Sequence, residues 1–366
     1  ITIFLMISII LPYSKPGIAY SGPLQSIIGV CHFLEGKYDY QILTKYNNFK
    51  ESPIEESISE HKVVTISNFN SKTLFSIIQN SEIIWINSIY SIPFSFIPLI
   101  YIFLSKKKTV LVSTRGQLLG GSLDFKKRIY LHIYKLLLQR SKNSIYIHYS
   151  TKEEKENSYP IFKKFRSLLF ANPLKSNFPE IKKQKTDKSE YVIGFLGRIA
   201  PIKNIEFIIT LMPLLPDYMV FHIYGVIVDN AYKKKLEKLV FQLGLEERVI
   251  FKGEYLYKEL EELYTYIDLA VVPSKSESFC YAFFEAIENK KPVIGSTGLP
   301  WKKANTFEPN TILPLEKEKW IKQINNIVSA PHNIDENRQK NLEQFYNFVL
   351  KSIEDNVLVS FESLVE

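Results

Sequence analysis

The 366-residue sequence has few of the residues that cross-link a fold or bind metal: it contains two cysteines and six histidines. Cys31 and Cys280 lie in opposite halves of the chain, which excludes a disulfide framework and a cysteine-rich metal site. The chain has no long Ser, Gln or Gly tract, and its 46% hydrophobic and 23% charged residues are typical of globular domains. A reducing, cytoplasmic compartment fits this composition best.

Motifs of several other enzyme classes are also absent. The sequence contains no Asp-x-Asp pair to hold a divalent metal, no Gly-x-x-x-x-Gly-Lys loop, no Gly-x-Gly-x-x-Gly fingerprint and no His-Glu-x-x-His pair. The histidines are scattered, and we expect them to be packed or exposed rather than metal ligands. We therefore predict no metal site and no bound cofactor.

The net charge of +8 is concentrated in the first half of the chain. Residues 1–180 carry 22 basic and 12 acidic side chains, whereas the remainder carries 24 and 26. Ten basic residues and one acid, Asp124, lie between Lys106 and Lys142. Such a cluster attracts an anionic membrane surface, a nucleic acid or a lipid-linked phosphate. The alternative is a solvated helix face with counter-ions.

The segment Phe125–Leu138 has a helical pattern within this basic cluster. It places basic residues beside apolar ones, namely Lys126, Lys127, Arg128 and Lys135 beside Tyr130, Leu131, Tyr134 and Leu138. This arrangement predicts a helix that lies on an anionic bilayer at the inner face of the plasma membrane. The alternative is a core-facing helix with a basic outer face.

Two apolar segments raise the question of a membrane span. Ile83–Leu104 has no charged residue, but Pro93 and Pro98 interrupt it, and lipid cannot replace the backbone hydrogen bonds that proline removes. We predict a buried strand, a turn and a short helix here. Ile1–Leu11 is too short to span a bilayer, and we predict a buried first strand rather than a signal peptide.

Short apolar runs alternate with helical patterns along the whole chain, which predicts an α/β fold of two doubly wound, Rossmann-like domains. The runs are Ile3–Ile10, Tyr40–Thr44, Val63–Ile66, Ile83–Ile86, Thr109–Ser113, Ser144–Ile147, Tyr191–Leu196, Met219–Ile223, Val249–Phe251, Leu269–Val272 and Pro292–Ile294. A polar linker at Lys175–Glu190 separates the domains, which we place at residues 1–178 and 179–340. Residues 341–366 form a helix that we expect to pack back toward the first domain.

A loop with two cations follows the first strand of the second domain. Gly197 permits a sharp turn after this strand, and Arg198 and Lys203 lie in the loop that leads to the next helix. Arg offers a planar fork for phosphate oxygens and Lys offers a point charge, so the pair suits a diphosphate without a metal. The alternative is a surface turn with solvated charges.

Two acids, eight positions apart, mark a second loop. Glu277 follows a buried strand, and Glu285 lies two turns into a helix that we expect to begin at Phe279. A carboxylate accepts two hydrogen bonds and suits a vicinal diol, while a helix N-terminus suits phosphate. The neighbours of Glu285 are apolar, so the alternative of an exposed surface acid is the weaker one.

The ordered motifs resemble those of the retaining glycosyltransferases of family 4, which have the two-domain GT-B arrangement. They are FLGRIAPIKN, FHIYGVIVDNAY, LGLEERVIFKGEY, the spaced acids and KPVIGSTGLPW in the second half, and SGPLQSI in the first half. WINSIYS and STRGQLLGGSL resemble a branch of bacterial surface-polysaccharide glycosyltransferases. The resemblance covers nearly the whole chain.

This resemblance implies a role for each matching residue. Arg198, Lys203 and Glu277 would be catalytic, the two cations holding the donor diphosphate and Glu277 facing the transferred sugar. Donor-binding positions would be Gly22, Gly197, Phe279, Cys280 and Glu285, and Asn87, Arg115 and Gly116 would lie on the acceptor side. Cys280 stands where the family usually has glycine, and we expect the small thiol to be accommodated.

The resemblance implies a metal-independent, retaining, hexosyltransferase-like enzyme with a nucleotide-sugar donor and a saccharide or lipid-linked saccharide acceptor, in cell-surface polysaccharide synthesis. One alternative is a non-catalytic GT-B protein that docks to an anionic membrane. Another is a GT-B epimerase or phosphorylase. No nucleic-acid-binding module is recognisable, so nucleic acid is not an expected partner.

Overall fold

The computed structural model describes residues 5–12, 22–44, 62–65, 72–119, 125–174, 190–330 and 332–365. The chain divides into two compact units. Unit 1 contains the described residues up to Pro173 and the end of the chain from Ser352, and unit 2 contains Leu174–Lys351. Residues 175–189 of the predicted linker lie outside the described part of the chain.

Unit 1 is built on a parallel sheet of seven strands in the order β3-β2-β1-β4-β5-β6-β7. The strands are β1 Met6–Ile10, β2 Asp39–Thr44, β3 Val63–Thr65, β4 Ile83–Ile86, β5 Thr109–Ser113, β6 Ser144–Tyr149 and β7 Arg166–Leu169. The α-helices described in this unit are α1 Gly22–Leu34, α2 Lys72–Asn80, α3 Ile97–Phe103, α4 Phe125–Arg140 and α5 Lys152–Asn157.

Unit 2 has a parallel sheet of six strands in the order β10-β9-β8-β11-β12-β13. The strands are β8 Tyr191–Leu196, β9 Met219–Tyr224, β10 Val249–Gly253, β11 Leu269–Val272, β12 Val293–Ser296 and β13 Ile312–Leu313. Its helices are α6 Ile205–Ile209, α7 Asn230–Gln242, α8 Leu260–Thr265, α9 Tyr281–Glu288 and α10 Lys317–Val328. The predicted α/β fold of two doubly wound domains is confirmed.

The central strands of both sheets are buried along their whole length, as β4 and β11 illustrate. Near-continuous apolar runs form such strands because helices cover both faces of a parallel sheet. The helices turn their apolar sides toward the sheets, and α7 ends where Gly244 adopts a positive φ of 63°.

The uncharged segment Ile83–Leu104 forms β4, a π-helical turn at Ile92–Phe96 and α3, as predicted. Pro93 lies in the first turn of this helical region, where a missing N–H costs no hydrogen bond, and Pro98 is the second residue of α3. Among the described residues, no helix is both long enough and apolar enough to cross a membrane.

The chain ends in a 34-residue helix, α11, His332–Val365, which begins nine positions before the expected Asn341. Its residues up to Lys351 group with unit 2 and those from Ser352 group with unit 1. In unit 2, Tyr346 donates a hydrogen bond of 2.6 Å to Glu288. In unit 1, the ring of Phe361 contacts Trp85 edge to face, with 5.6 Å between centroids.

Candidate active site

The predicted donor residues of unit 2 lie where the strand order of its sheet changes direction. β8 is flanked by β9 and β11, so the chain leaves β8 toward one side of the sheet and later returns on the other. In open parallel sheets, ligands bind beyond the carboxyl ends of the strands at such a switch point. Arg198 and Lys203 follow β8, and Glu277 follows β11.

Lys203 and Glu277 form an ion pair between these two loops. The Nζ atom of Lys203 lies 2.5 Å from Oε1 of Glu277, and each side chain is 14% exposed. Two further bonds join the loops: the Lys275 N–H donates to Ile202 O (2.8 Å), and the Asn204 amide donates to Pro273 O (3.1 Å). The two predicted motifs therefore form one continuous surface.

Charge at this site is dominated by the cations and Glu277. Burial would lower the pKa of Lys203, but the attraction of Glu277 and its hydrogen bond outweigh burial and raise that pKa above its ordinary value. Arg198 lies close enough to act in the opposite direction, and its side chain is exposed. Lys203 is therefore a paired and largely enclosed cation, and Arg198 is an exposed cation near it.

The backbone of the Gly197 loop is in very close contact with the loop after β9. A Cβ atom on Gly225 would lie 1.8 Å from Gly197 O, and Gly225 has a φ of 143°. No side chain fits there. Glycine at position 225 therefore allows the loop after β8 to pack against the loop after β9.

The loop after β11, which carries Glu277, continues into helix α9, which begins at Tyr281. The prediction that Phe279 begins this helix was wrong by two residues, so Glu285 lies about one turn from the N-terminus rather than two. Phe279 instead lies before the helix, and its side chain is buried. Its backbone carbonyl accepts a hydrogen bond from the Trp301 indole. This contact holds the loop at the entrance of the helix.

Cys280 occupies the N-cap of α9 with φ 74° and ψ 78°, a conformation that favours glycine. This backbone geometry explains why a glycine suits the position. Burial, followed by the negative charge of Glu277, raises the pKa of the Cys280 thiol well above its ordinary value. The thiol therefore stays protonated near neutral pH and is a poor nucleophile.

We expect neither thiol of the native protein to react with Ellman's reagent at pH 8. Cys31 is also buried, and burial raises its pKa as well. Both thiols should react in denaturant, and the Cys31→Ala variant, which leaves Cys280 alone, should behave in the same way. Fast labelling of native Cys31→Ala would contradict the buried, protonated state of Cys280.

Glu285 is buried in the first half of α9. Burial, and then the charge of Glu285, raise the pKa of Tyr255 and of Tyr264, so both phenol groups lie within electrostatic reach of this carboxylate. Glu285 also contributes to the raised pKa of Cys280. Lys203, Glu277 and Glu285 thus all lie within electrostatic reach of Cys280 at the N-cap of α9, and Arg198 lies within electrostatic reach of Lys203.

In unit 1, the structure brings together two of the predicted acceptor-side residues. Arg115 follows β5 and donates from Nη2 to Asn87 Oδ1 over 2.6 Å. Its other terminal nitrogen donates to Ser26 (2.6 Å) and to Asn172 (2.8 Å), both buried. These bonds hold the guanidinium group in one orientation at the carboxyl edge of the sheet.

Arg115 and Gly116 have positive φ values of 50° and 71°, and this strained turn is held by a buried acid that the sequence analysis missed. Glu154, in α5, accepts hydrogen bonds from Gly116 N (2.5 Å), Thr114 Oγ1 (2.6 Å) and Ser150 N (2.7 Å). The pattern Thr151-x-x-Glu154 is a helix-capping signature that could have identified it.

His148 is a buried histidine of unit 1. It is buried beside Ser113 and Phe170, and burial followed by the Arg115 charge lowers its pKa to about 3. The His148 imidazole therefore stays neutral near pH 7, and its role is structural. In the described part of the chain, no group of three or more His, Cys, Asp or Glu side chains is placed to hold a metal ion.

Gly22 is the first residue of α1. It belongs to unit 1 together with Asn87, Arg115 and Gly116, whereas the other predicted site residues belong to unit 2. The structure thus provides two local clusters, one in each unit.

Residues 177–341, which include every predicted donor residue of unit 2, match the family model of the group 1 glycosyltransferases. The chain is 26% identical over 235 residues to the O-antigen chain mannosyltransferase RfbU of Salmonella typhimurium, covering 64% of this chain and 62% of that protein. A D-inositol 3-phosphate glycosyltransferase of a Mycobacterium species is 35% identical over 117 residues, 31% of this chain and 27% of the relative. The chain therefore spans less than two thirds of the length of either relative.

The fold matches that of HepE from Anabaena, solved in complex with UDP and glucose, with a TM-score of 0.74, 16% identity and coverage of 99% and 98% of the two chains. At this level of identity the match concerns the fold alone. The chain thus has the GT-B fold, and the match to the family model of the group 1 glycosyltransferases concerns residues 177–341.

Proposed function

We propose that the protein transfers a sugar from a nucleotide-sugar donor to a saccharide or lipid-linked saccharide acceptor, with retention of anomeric configuration. The observation that carries the proposal is the Lys203–Glu277 pair at the switch point of the unit 2 sheet, beside Arg198 and the N-terminus of α9. A site that offers two cations beside a helix N-terminus suits a diphosphate. Its two acids suit sugar hydroxyl groups.

Each residue has a separate task in this mechanism. Arg198 and Lys203 neutralise the charge that develops on the departing diphosphate. The Lys203 ammonium has three donors, so it can keep its bond to Glu277 and still donate to a phosphate oxygen. Glu277 then faces the transferred sugar, and Glu285 accepts hydrogen bonds from the ribose hydroxyls.

The acceptor side is assigned to unit 1. Arg115, held by Asn87, Ser26 and Asn172, presents a fixed cation beside the Gly116 backbone. The relative RfbU is an O-antigen mannosyltransferase, which supports a role in cell-surface polysaccharide synthesis. A lipid-linked acceptor would place the protein at the cytoplasmic face of the membrane.

Incubation with a panel of nucleotide sugars tests the proposal. A transferase should hydrolyse one donor slowly and release its nucleotide, and it should do so faster once an acceptor is supplied. Proton NMR of the product reports whether the anomeric configuration is retained. If no donor in a full panel is hydrolysed or shifts the melting temperature, the protein is not a transferase of this kind.

Nucleotide release should be unchanged in excess EDTA. Arg198 and Lys203 supply the positive charge that a divalent ion would otherwise provide at the diphosphate, so the chemical step needs no added metal. The measurement compares release after EDTA treatment with release in added Mn²⁺. Loss of activity in EDTA with recovery in Mn²⁺ would contradict the proposed role of the two cations.

A further inference from the structure

Helix α4 does not use the face that its sequence pattern suggests for membrane contact. Leu131, Tyr134 and Leu138 are buried in the core of unit 1, and Tyr130 packs against Tyr90 and Phe96. The prediction that these four residues lie beside a bilayer was therefore wrong. They attach the helix to the sheet instead.

The opposite side of α4 carries a second apolar stripe. Phe125, Ile129, Ile133 and Leu136 are 44–77% exposed. At 3.6 residues per turn they fall within an arc of about 80°, centred opposite the buried residues. An α-helix of a globular protein normally shows charged residues on that side, so this stripe requires an explanation.

Basic side chains border the stripe on both sides. Lys126 lies on one edge, Arg128 and Lys135 on the other, and Arg140 at its C-terminal end. The helix contains no acidic residue. A solvated helix face usually mixes both signs of charge, whereas this face offers only positive ones around an apolar centre.

The end of α3, near the C-terminal end of α4, is also apolar and basic on its exposed side. Phe103 and Leu104 are exposed there and are followed by exposed Lys106 and Lys107. Asn143, just after α4, donates a hydrogen bond of 3.2 Å to Ile102 O and so ties the two helix ends together. Exposed apolar and basic side chains of α3 therefore lie close to the C-terminal end of α4.

We propose that this surface, the outer stripe of α4 with the end of α3 and the surrounding Lys and Arg side chains, docks on an anionic lipid bilayer. Aliphatic side chains enter the boundary between headgroups and acyl chains, and the cations pair with anionic headgroups. The proposal rests on the proposed function, because a lipid-linked acceptor is a substrate that a docked transferase reaches.

Charge and chemistry favour a bilayer over other occupants. In a symmetric dimer through this face, the basic borders of the two copies would face each other and repel. A nucleic acid would engage the cations but leave the aliphatic stripe without a partner, since phosphates and base edges are polar. An anionic bilayer satisfies both parts of the surface.

Co-sedimentation with lipid vesicles tests the proposal. The wild-type protein should bind phosphatidylcholine vesicles that contain phosphatidylglycerol, and high salt or omission of the anionic lipid should weaken binding. Ile129→Asn/Ile133→Asn should weaken binding by about tenfold or more, and each of Lys126→Glu and Arg128→Glu by about fivefold or more. Thermal unfolding confirms that each variant is folded.

Helix α7 of unit 2 provides the matched controls. It also exposes a large apolar residue, Phe241, and the lysines Lys234 and Lys238. Phe241→Asn and Lys234→Glu/Lys238→Glu should bind vesicles like the wild type. Equal loss in both sets of variants would mean that binding depends on general charge or hydrophobicity, which overturns the assignment to α4.

Two other outcomes would also overturn it: wild-type binding by the α4 variants, or a dimer in solution that these variants dissociate. Nucleotide release from a soluble donor is measured on the same proteins and should not change, because the substituted residues lie outside both site clusters. Vesicle binding without nucleotide release would contradict the proposed function and leave the docking surface standing. Nucleotide release without vesicle binding would support the proposed function and overturn the docking surface.

Discussion

Lys203→Ala is expected to lower turnover by on the order of 10²-fold or more, since loss of one preorganised donor to a developing anion costs about that much. The effect should exceed that of Arg198→Ala, which we also expect near 10²-fold, because Lys203 is largely enclosed and Arg198 is exposed. Initial rates of nucleotide release with the preferred donor measure both variants.

Lys275→Ala is the matched control. Lys275 lies on the same loop as Glu277, but its side chain is half exposed, and its Nζ atom lies 3.6 Å from Oε1 of Glu206. This substitution removes the same charge and should leave turnover nearly unchanged. Equal losses in Lys203→Ala and Lys275→Ala would show that net charge alone matters.

Removal of Lys203 also leaves Glu277 without its partner, so lower stability could imitate a catalytic effect. Lys203→Met/Glu277→Gln removes both charges and should recover much of the stability lost in Lys203→Ala. We expect its turnover to stay low. If the double variant regains wild-type turnover, the pair is structural and the proposed mechanism is wrong.

Most strands could be predicted because parallel sheets bury both faces of a strand and leave an uninterrupted apolar run. β7 and β13 were missed for physical reasons. β7 is an edge strand with exposed Arg166 and Leu169, and β13 has two residues, so neither shows a pattern that differs from a loop. Register and sheet order come from long-range pairing that a local pattern does not contain.

In the candidate site, too, local sequence patterns indicate some residues, whereas other contacts depend on the fold. Gly197, the two cations and Glu277 could be proposed as site residues because each follows an apolar strand, and Glu285 because its neighbours are apolar. The Lys203–Glu277 contact and the support of Gly116 by Glu154 join residues that are distant in sequence. Such contacts depend on the fold and could not be deduced from spacing.

Helix α4 shows where periodicity is insufficient. Two apolar stripes lie on opposite sides of this helix, one at Leu131, Tyr134 and Leu138 and the other through Ile129 and Ile133. A periodic pattern indicates that an apolar face exists but not which face meets the sheet. Tertiary packing decides between them, and here it buries the face assigned to the bilayer.

Gly225→Ala is expected to lower the free energy of unfolding of unit 2 by about 3 kcal/mol or more. The added Cβ would lie 1.8 Å from Gly197 O and 2.7 Å from Gly197 C, both backbone atoms that cannot rotate away. The collision must be relieved by separating the loops after β8 and β9. Urea denaturation followed by tryptophan fluorescence and circular dichroism measures the loss.

Gly244→Ala separates this collision from the cost of a positive φ. Gly244 has a φ of 63°, and a Cβ there would meet nothing within 4 Å, so we expect a loss of only about 1 kcal/mol. Because the Gly197 loop also carries Arg198, Gly225→Ala should lower turnover under conditions in which it is still folded, whereas Gly244→Ala should not. Equal destabilisation by the two substitutions would show that the loops after β8 and β9 are not held in the close contact on which the position of Arg198 depends.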